Sequence, residues 1–162
     1  MEYLGQIKLK DTNAYSLDLQ AEIIRAHPIA VKQTKDIAYK FKGATPLQTC
    51  FNIWKYLREN INYVKDEPNT QRIFLPSAFL HFKKGDCKSY ATFSAAILCN
   101  IYKGTGMQTG FVFTSYKSRE IPSHIYVCIK LRNNTKIYID GCYYEFNVEK
   151  TPTYKKIVYL HK

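Results

Sequence analysis

The sequence predicts an α+β fold in which helices from the first half of the chain pack on an antiparallel β-sheet from the second half. Apolar residues recur at helical spacing as far as Gly104 and then alternate at the spacing of strands from residue 108 onward. Helices followed by a run of strands are typical of the α+β class. The 162 residues have the length of a single domain, within which we separate a helical N-terminal extension, residues 1–44, from a core, residues 45–162.

Two helical segments are predicted in the N-terminal extension. The first runs from Ser16 to His27 and ends at Pro28, because proline lacks the N–H group that an interior helical residue donates. The second follows Pro28 and runs toward Phe41, with Gly43 as a stop signal. We therefore expect two short helices that are separated at the proline.

Three more helices are predicted in the core. Thr45-Pro46 is typical of an N-cap followed by proline at the first helical position, and apolar residues follow at helical spacing: Leu47, Cys50, Phe51, Trp54, Leu57 and Ile61. Residues 62–71 are polar and predict a loop, and residues 76–82 predict a short helix. Lys83-Lys84-Gly85-Asp86 breaks that helix. A new helix then starts at or next to Cys87 and is closed by Gly104, with one apolar face made by Ala91, Ala95, Leu98 and Ile101 or Tyr102.

Five strands are predicted in the second half of the chain, at residues 108–115, 124–131, 136–140, 143–148 and 155–160. They are the strands of the expected antiparallel sheet.

A cysteine is predicted at the N-terminus of a helix, directly after Gly85-Asp86. Backbone N–H groups and the helix dipole favour a thiolate at such a position, and the same N–H groups can donate to an oxyanion. The glycine lets the chain turn sharply into the helix and leaves the sulfur accessible. Because Cys87 follows a charged loop and opens a helix, we predict that it is a nucleophile. Small buried core cysteines are common, and that interpretation suits Cys50, Cys99 and Cys128.

A cysteine nucleophile needs an imidazole base and usually a third residue that orients the base. His124 begins one predicted strand and Asp140 ends the next, so the two side chains can approach each other in an antiparallel hairpin. The other histidines lie in the helical half or at the tail: His27, His81 and His161. We therefore predict His124 as the base and Asp140 as the residue that orients it.

The alternation of side chains predicts the register of this hairpin. Apolar residues alternate on both strands: Ile125, Val127, Ile129 and Leu131 on the first, Ile137 and Ile139 on the second. They share a face only if the loop has an odd length, such as Arg132-Asn133-Asn134, which places Val127 opposite Ile139 and puts His124 on the face of Asp140. A two-residue turn at Asn133-Asn134 would pair Val127 with Asp140 and mix apolar with polar residues, so we prefer the odd loop.

These residues resemble the motifs of the transglutaminase-like family. That family shows a Gly-x-Cys helix start, a histidine followed by an aromatic residue on a strand, and an aspartate at the end of the next strand. Here the three motifs are Gly85-Asp86-Cys87, His124-Ile125-Tyr126 and Tyr138-Ile139-Asp140, and the segment 56–63 also resembles the family's approach to its core. The resemblance covers roughly residues 47–146 and departs in three places. Tyr126 stands where many members have tryptophan, Gly141 stands where many have proline, and the first 44 residues match nothing we can name.

The resemblance implies a papain-like, transglutaminase-like core, with the nucleophile at a helix N-terminus packed on the sheet, and a Cys-His-Asp triad. It also implies a mechanism in which His124 takes the thiol proton and the thiolate of Cys87 attacks an amide or ester carbonyl to form a thioester. Water or an amine then resolves the thioester. Family activities include amide or peptide hydrolysis and acyl transfer from glutamine, and some members have lost the chemistry.

The cysteine pattern predicts reduced thiols and no cofactor. The five cysteines are odd in number and form no CxxC pair, which argues against a disulfide framework and a zinc ribbon. A zinc site is a weak alternative because the spacing of its ligands is not a standard one: Cys87, His124, Cys128 and Cys142. We therefore expect neither a metal nor another cofactor.

The formal net charge of +11 favours acidic partners in general. The basic residues are spread along the whole chain, and no signature of an RRM, zinc finger or helix-turn-helix occurs. We therefore do not predict nucleic acid as the main partner, and the resemblance implies a protein or peptide substrate. The sequence contains no apolar run that could span a bilayer, and Met1–Ile7 does not begin a signal peptide. This predicts no membrane association and a location in the cytoplasm, or in a particle assembled there.

These patterns leave two function classes open. The first is a cysteine peptidase, amidase or acyltransferase, with hydrolysis favoured because a small single domain shows no module for a second substrate. The alternative is a catalytically silent transglutaminase-like module with a structural or binding role, for example in a phage or mobile-element assembly.

Overall fold

The computed structural model describes residues 5–10, 17–67, 70–116 and 122–160 of the chain. Within those ranges it has the predicted α+β class, with helices that pack on an antiparallel sheet. The helices are α1 (Leu17–Thr34), α2 (Pro46–Asn60), α3 (Pro76–Phe82) and α4 (Cys87–Tyr102), with a 3₁₀ helix at Ala38–Phe41.

The strands are β1 (Gln6–Lys10), β2 (Asn62–Tyr63), β3 (Thr70–Phe74), β4 (Lys84–Gly85), β5 (Gln108–Ser115), β6 (His124–Lys130), β7 (Lys136–Ile139) and β8 (Tyr154–Tyr159). The main sheet has the order β7-β6-β5-β8, and all of its neighbours are antiparallel. Two small pairs stand apart, β1 antiparallel to β3 and β2 parallel to β4. The sequence did not predict β1, and it predicted a loop where β2 and the start of β3 lie.

Helix α1 continues through Pro28, so the prediction that a helix ends there is wrong. An interior proline costs a helix about 3 kcal/mol. The cost is offset because one face of α1 is fully buried in the core, through Leu19, Ile23 and Ala30, whereas Pro28 lies on the exposed side. Burying a leucine or isoleucine side chain contributes roughly 1.5–3 kcal/mol, so the burial of Leu19 and Ile23 together offsets the cost of the proline. Ser16, the predicted start, lies outside the described residues.

Helices α2 and α3 have the predicted positions. The hydroxyl of Thr45 accepts a hydrogen bond from the N–H of Gln48 at 3.1 Å and caps α2, with Pro46 as its first residue. The buried face of α2 is narrower than predicted, because Leu47 is half exposed.

Helix α4 is the centre of the fold. We predicted one apolar face, but nearly every residue of α4 is buried, including Thr92 and Ser94. Their hydroxyls donate to the carbonyl oxygens four residues earlier, at 2.8 Å in both cases, so the buried polar groups are satisfied. A helix enclosed on all sides holds its first residue, Cys87, in a fixed place relative to the sheet.

The hairpin of β6 and β7 has the predicted register. Val127 lies opposite Ile139, and the loop between the strands has an odd length. The N–H of Leu131 donates to the carbonyl of Thr135, and Asn134 takes a left-handed conformation with φ of 69°. Three-residue hairpin loops that end in a left-handed residue are a common solution, and asparagine tolerates that conformation.

Residues 143–148 form turns, so the strand predicted there is wrong. Tyr143, Tyr144 and Phe146 resemble strand residues in sequence, but contacts with α2 shape this segment. The ring of Phe146 packs edge-on against Phe51 at 5.3 Å between centroids, and the indole N–H of Trp54 donates to the carbonyl of Tyr143 at 3.2 Å. Across the described ranges, no helix combines the length and apolar character needed to cross a membrane.

Candidate active site

The N-terminus of α4 is capped by Asp86, which places Cys87 at the first helical position. One carboxylate oxygen of Asp86 accepts a hydrogen bond from the N–H of Lys88 at 3.1 Å. Gly85 permits the tight entry into the helix, because a Cβ at this position would lie 2.8 Å from the Cβ of Ser89. The predicted nucleophile therefore lies where helix N–H groups point out of the helix, and it is 3% exposed.

His124 and Asp140 meet at the end of the sheet that lies next to this helix start. The Nε2 of His124 is 2.7 Å from the Oδ2 of Asp140. The other carboxylate oxygen, Oδ1, accepts a hydrogen bond from the N–H of Cys142 at 3.0 Å. The turn after β7 thus fixes the carboxylate, and the carboxylate fixes the orientation of the imidazole.

The imidazole of His124 also forms a hydrogen bond with the side chain of Cys87. Because Nε2 faces Asp140, the nitrogen that remains for the sulfur is Nδ1. Burial lowers the pKa of His124, but the hydrogen bonds to Asp140 and Cys87 and the charges of both groups outweigh burial and raise the pKa to about 10. At neutral pH the imidazole is therefore protonated, and it faces the sulfur as a cation.

A second contact between cysteine and histidine lies elsewhere in the core. The sulfur of Cys99 is 3.3 Å from the Nε2 of His27, and both residues are buried where α1 packs on α4. Burial raises the pKa of Cys99 to about 12, against a smaller opposing effect of the hydrogen bond with Thr109. A thiol with such a pKa stays protonated at neutral pH, so this pair lacks the thiolate that nucleophilic attack requires.

The remaining cysteines are also held in the thiol form. Burial raises the pKa of Cys50 and raises that of Cys128 to about 12. Burial, followed by the charges of Cys87 and Asp140, raises the pKa of Cys142, which is the most exposed of the five cysteines. In the described part of the chain, no group of three or more His, Cys, Asp and Glu side chains is arranged to hold a metal ion.

The turn after Asp140 is anchored to α2. The guanidinium of Arg58 donates to the carbonyl of Gly141 at 3.4 Å. A Cβ on Gly141 would lie 2.6 Å from the ring of Tyr90 and 2.8 Å from a methyl group of Leu57, and both of these residues are buried. This close approach gives a physical reason for glycine at the position where many transglutaminase-like sequences have proline.

We expect Gly141→Ala to lower the free energy of unfolding by about 1–3 kcal/mol, because the added methyl group overpacks the site. Chemical denaturation measures this change. Gly104→Asn is the comparison for a side chain that is added without overpacking: nothing lies within 4 Å of the added Cβ, and only the strain of its φ of 80° remains, which asparagine tolerates better than most residues, so its cost should be smaller. Equal stability of Gly141→Ala and the wild type would show that the turn can shift away from Tyr90 and Leu57.

A cleft of about 290 Å³ adjoins the imidazole. Its walls include His124, Asp140, Tyr116, Tyr126 and Tyr143. The hydroxyl of Tyr126 donates to the carboxylate of Glu149, which also pairs with Lys155 at 2.9 Å. Tyr126, at the position where many family members have tryptophan, thus adds a polar group to an aromatic wall.

A buried cluster of charged side chains at the sequence neighbours of Cys87 was not predicted from the sequence. The ammonium of Lys88 contacts the carboxylate of Asp86 and lies 3.3 Å from the carboxylate of Asp66. The adjacency of Lys88 to the predicted nucleophile was visible in the sequence, but the pairing with Asp66, which lies 22 positions earlier, depends on the fold.

The chain is similar to several known proteins. A family profile described as "Transglutaminase-like domain" matches residues 32–156. The UPF0252 protein MJ1282 of Methanocaldococcus jannaschii is 29% identical over 148 residues, which cover 79% of this chain and 40% of that protein. The UPF0252 protein PF0978 of Pyrococcus furiosus is 30% identical over 89 residues, which cover 55% of this chain and 26% of that protein. The chain thus spans less than half the length of these relatives.

The structure is also similar to the crystal structure of a candidate cysteine protease from Cytophaga hutchinsonii, with a TM-score of 0.48 and 12% identity. That similarity covers 84% of this chain and 48% of the other. Because the family profile spans most of the sequence and includes the helix start, the hairpin and the turn after β7, the chain belongs to the transglutaminase-like domain family.

Proposed function

We propose that the chain is a cysteine-dependent amide or peptide hydrolase, or an acyl transferase, that acts through a thioester on Cys87. One observation carries the proposal: the sulfur of Cys87, the imidazole of His124 and the carboxylate of Asp140 form a continuous hydrogen-bonded series. In such a series the first group attacks, the second moves protons and the third holds the second in place.

The first half-reaction forms the thioester. The thiolate of Cys87 attacks the carbonyl carbon, a C–S bond forms, and the carbonyl electrons move to the oxygen. The N–H of Cys87 at the start of α4 donates to this oxyanion. His124 then gives its proton to the leaving nitrogen as the C–N bond breaks, and the amine departs.

The second half-reaction resolves the thioester. The neutral imidazole of His124 takes a proton from water or from an acceptor amine, whose oxygen or nitrogen attacks the thioester carbon. The C–S bond breaks, and the sulfur returns as a thiolate beside the protonated imidazole. Asp140 keeps the ring in one orientation through both half-reactions.

The second candidate function is a catalytically silent binding or structural module. The observation that favours it is the burial of Cys87, which is only 3% exposed. A substrate carbonyl can reach the sulfur only if the groups that cover it move.

Selective alkylation separates the two candidates. We expect iodoacetamide to label Cys87 before the other four cysteines near neutral pH, because the thiolate reacts and the protonated imidazole of His124 favours that form. Exposure alone predicts the opposite order, with Cys142 first. Peptide mass mapping after brief labelling of the native protein gives the order directly. A Cys142→Ala variant serves as the control, and faster labelling of Cys142 in the wild type would favour the silent module.

A further inference from the structure

The N-terminus of α4 contains a buried charge cluster that the proposed mechanism does not use. The side chain of Lys88 is 1% exposed, although lysine is almost never fully buried unless it is paired. Its partners are the carboxylates of Asp86 and Asp66, with side-chain exposures of 6% and 13%. A cluster this enclosed is expensive to desolvate, so its retention beside Cys87 calls for a reason.

The cluster joins two parts of the site. Asp86 is both the N-cap of α4 and the residue directly before Cys87. Asp66 lies in the connection between β2 and β3, and its carboxylate also accepts a hydrogen bond from the N–H of Arg72 in β3. Lys88 therefore ties the start of the nucleophile helix to the β2–β3 segment.

The charges of the cluster also act on the sulfur. A carboxylate cap beside Cys87 opposes the formation of a thiolate, because two negative charges then lie close together in a poorly solvated place. The ammonium of Lys88 opposes this repulsion. Burial lowers the pKa of Lys88, but the charges of Asp86, Cys87 and Asp66 and the hydrogen bond to Asp86 outweigh burial and raise the pKa, so Lys88 stays charged.

Other titratable groups of the site also interact with the sulfur of Cys87. Tyr63 of β2, His124 of β6 and Cys142 after β7 each interact electrostatically with Cys87. Asp140 acts through His124, and Tyr90 of α4 lies edge-on to Tyr63 at 6.0 Å. Lys88 and His124 are two cations that interact with the sulfur, and the guanidinium of Arg58 acts on the neighbouring Cys142 and Tyr90.

We propose that Lys88 is a positioning residue for the nucleophile: its ammonium neutralises the capping carboxylate of Asp86 and, with Asp66, fixes the start of α4, so that formation of the thiolate of Cys87 is favoured. This inference rests on the proposed function, since it assigns Lys88 a role in activating the same sulfur.

The test is the rate of alkylation of Cys87 by iodoacetamide as a function of pH. Lys88→Gln removes the charge and keeps a donor for Asp86, so the midpoint of the rate should move up by about one pH unit, which is about tenfold slower labelling below the midpoint. Lys88→Arg keeps the charge and should restore the midpoint of the wild type. Asp86→Asn removes the negative charge, keeps a side-chain oxygen for the cap, and should move the midpoint down.

A purely structural role gives a different pattern. It would lower the plateau rate in the Gln and Arg variants alike and leave every midpoint in place, and that result overturns the inference. If Lys88→Gln does not fold, the inference is tested by Asp86→Asn. An unchanged pH midpoint of alkylation in that variant again overturns the inference. If the alkylation of Cys87 in the wild type does not depend on pH, the proposed function itself is contradicted. If the wild type is labelled as expected and the pH midpoints of the variants do not shift, only the proposed role of Lys88 is rejected.

Discussion

Cys87→Ala should abolish the acyl-enzyme. With p-nitrophenyl acetate as a general acyl donor, the wild type should show a burst of nitrophenol and a gain of one acetyl group on Cys87. The variant should show neither, and its steady-state rate should fall by about 10³-fold, because burial raises the pKa of each of the other four thiols. Stopped-flow absorbance and intact mass spectrometry measure the two effects.

The same substitution should leave the fold in place. The side chain is small, so the free energy of unfolding should change by about 1 kcal/mol or less. Cys99→Ala is the matched control, since it removes a buried cysteine that also contacts a histidine and should retain the burst. A burst that persists in Cys87→Ala would show that a residue other than Cys87 is acylated.

His124→Gln should slow both acylation and deacylation by about 10²–10⁴-fold, the range that general acid–base catalysis contributes. Glutamine fills a similar volume and can hydrogen-bond to Asp140, but it transfers no proton at neutral pH. Burst and steady-state rates with the same acetate ester separate the two half-reactions. His81→Gln is the control, because His81 is exposed and packs on the neighbouring ring of Phe82. Equal losses in both variants would contradict the assignment.

The pH dependence follows from the raised pKa of His124. The protonated imidazole serves the leaving group, so the acylation rate with an amide donor should fall as the pH rises through about 10 in the wild type. Asp140 helps to raise this pKa through its hydrogen bond to His124, so Asp140→Asn should move the fall to lower pH. Asparagine still orients the ring, and the loss at neutral pH should therefore be partial. A fall at the same pH in both proteins would mean that Asp140 does not act on His124.

Local sequence patterns determined several of the helix boundaries of this protein and the register of one hairpin. The cap Thr45-Pro46, the break before Asp86 and the closing Gly104 are short-range signals, and the helices they predict are present. The register of β6 and β7 also follows from local pattern, because a shift of one residue would turn every side chain to the other face of the sheet. That register let the sequence place His124 beside Asp140.

The tertiary structure decided the features that depend on partners distant in the chain. Pro28 lies inside a helix because the core holds the helix around it, and residues 143–148 form turns because Phe146 and the carbonyl of Tyr143 contact α2. The pairing of Lys88 with Asp66 is of the same kind. The sequence by itself determined the helix start at Cys87 and the shared face of His124 and Asp140, because periodicity and capping act within a few residues. Burial and charge pairing join distant segments, so only the fold decided how the sulfur is enclosed and which charges surround it.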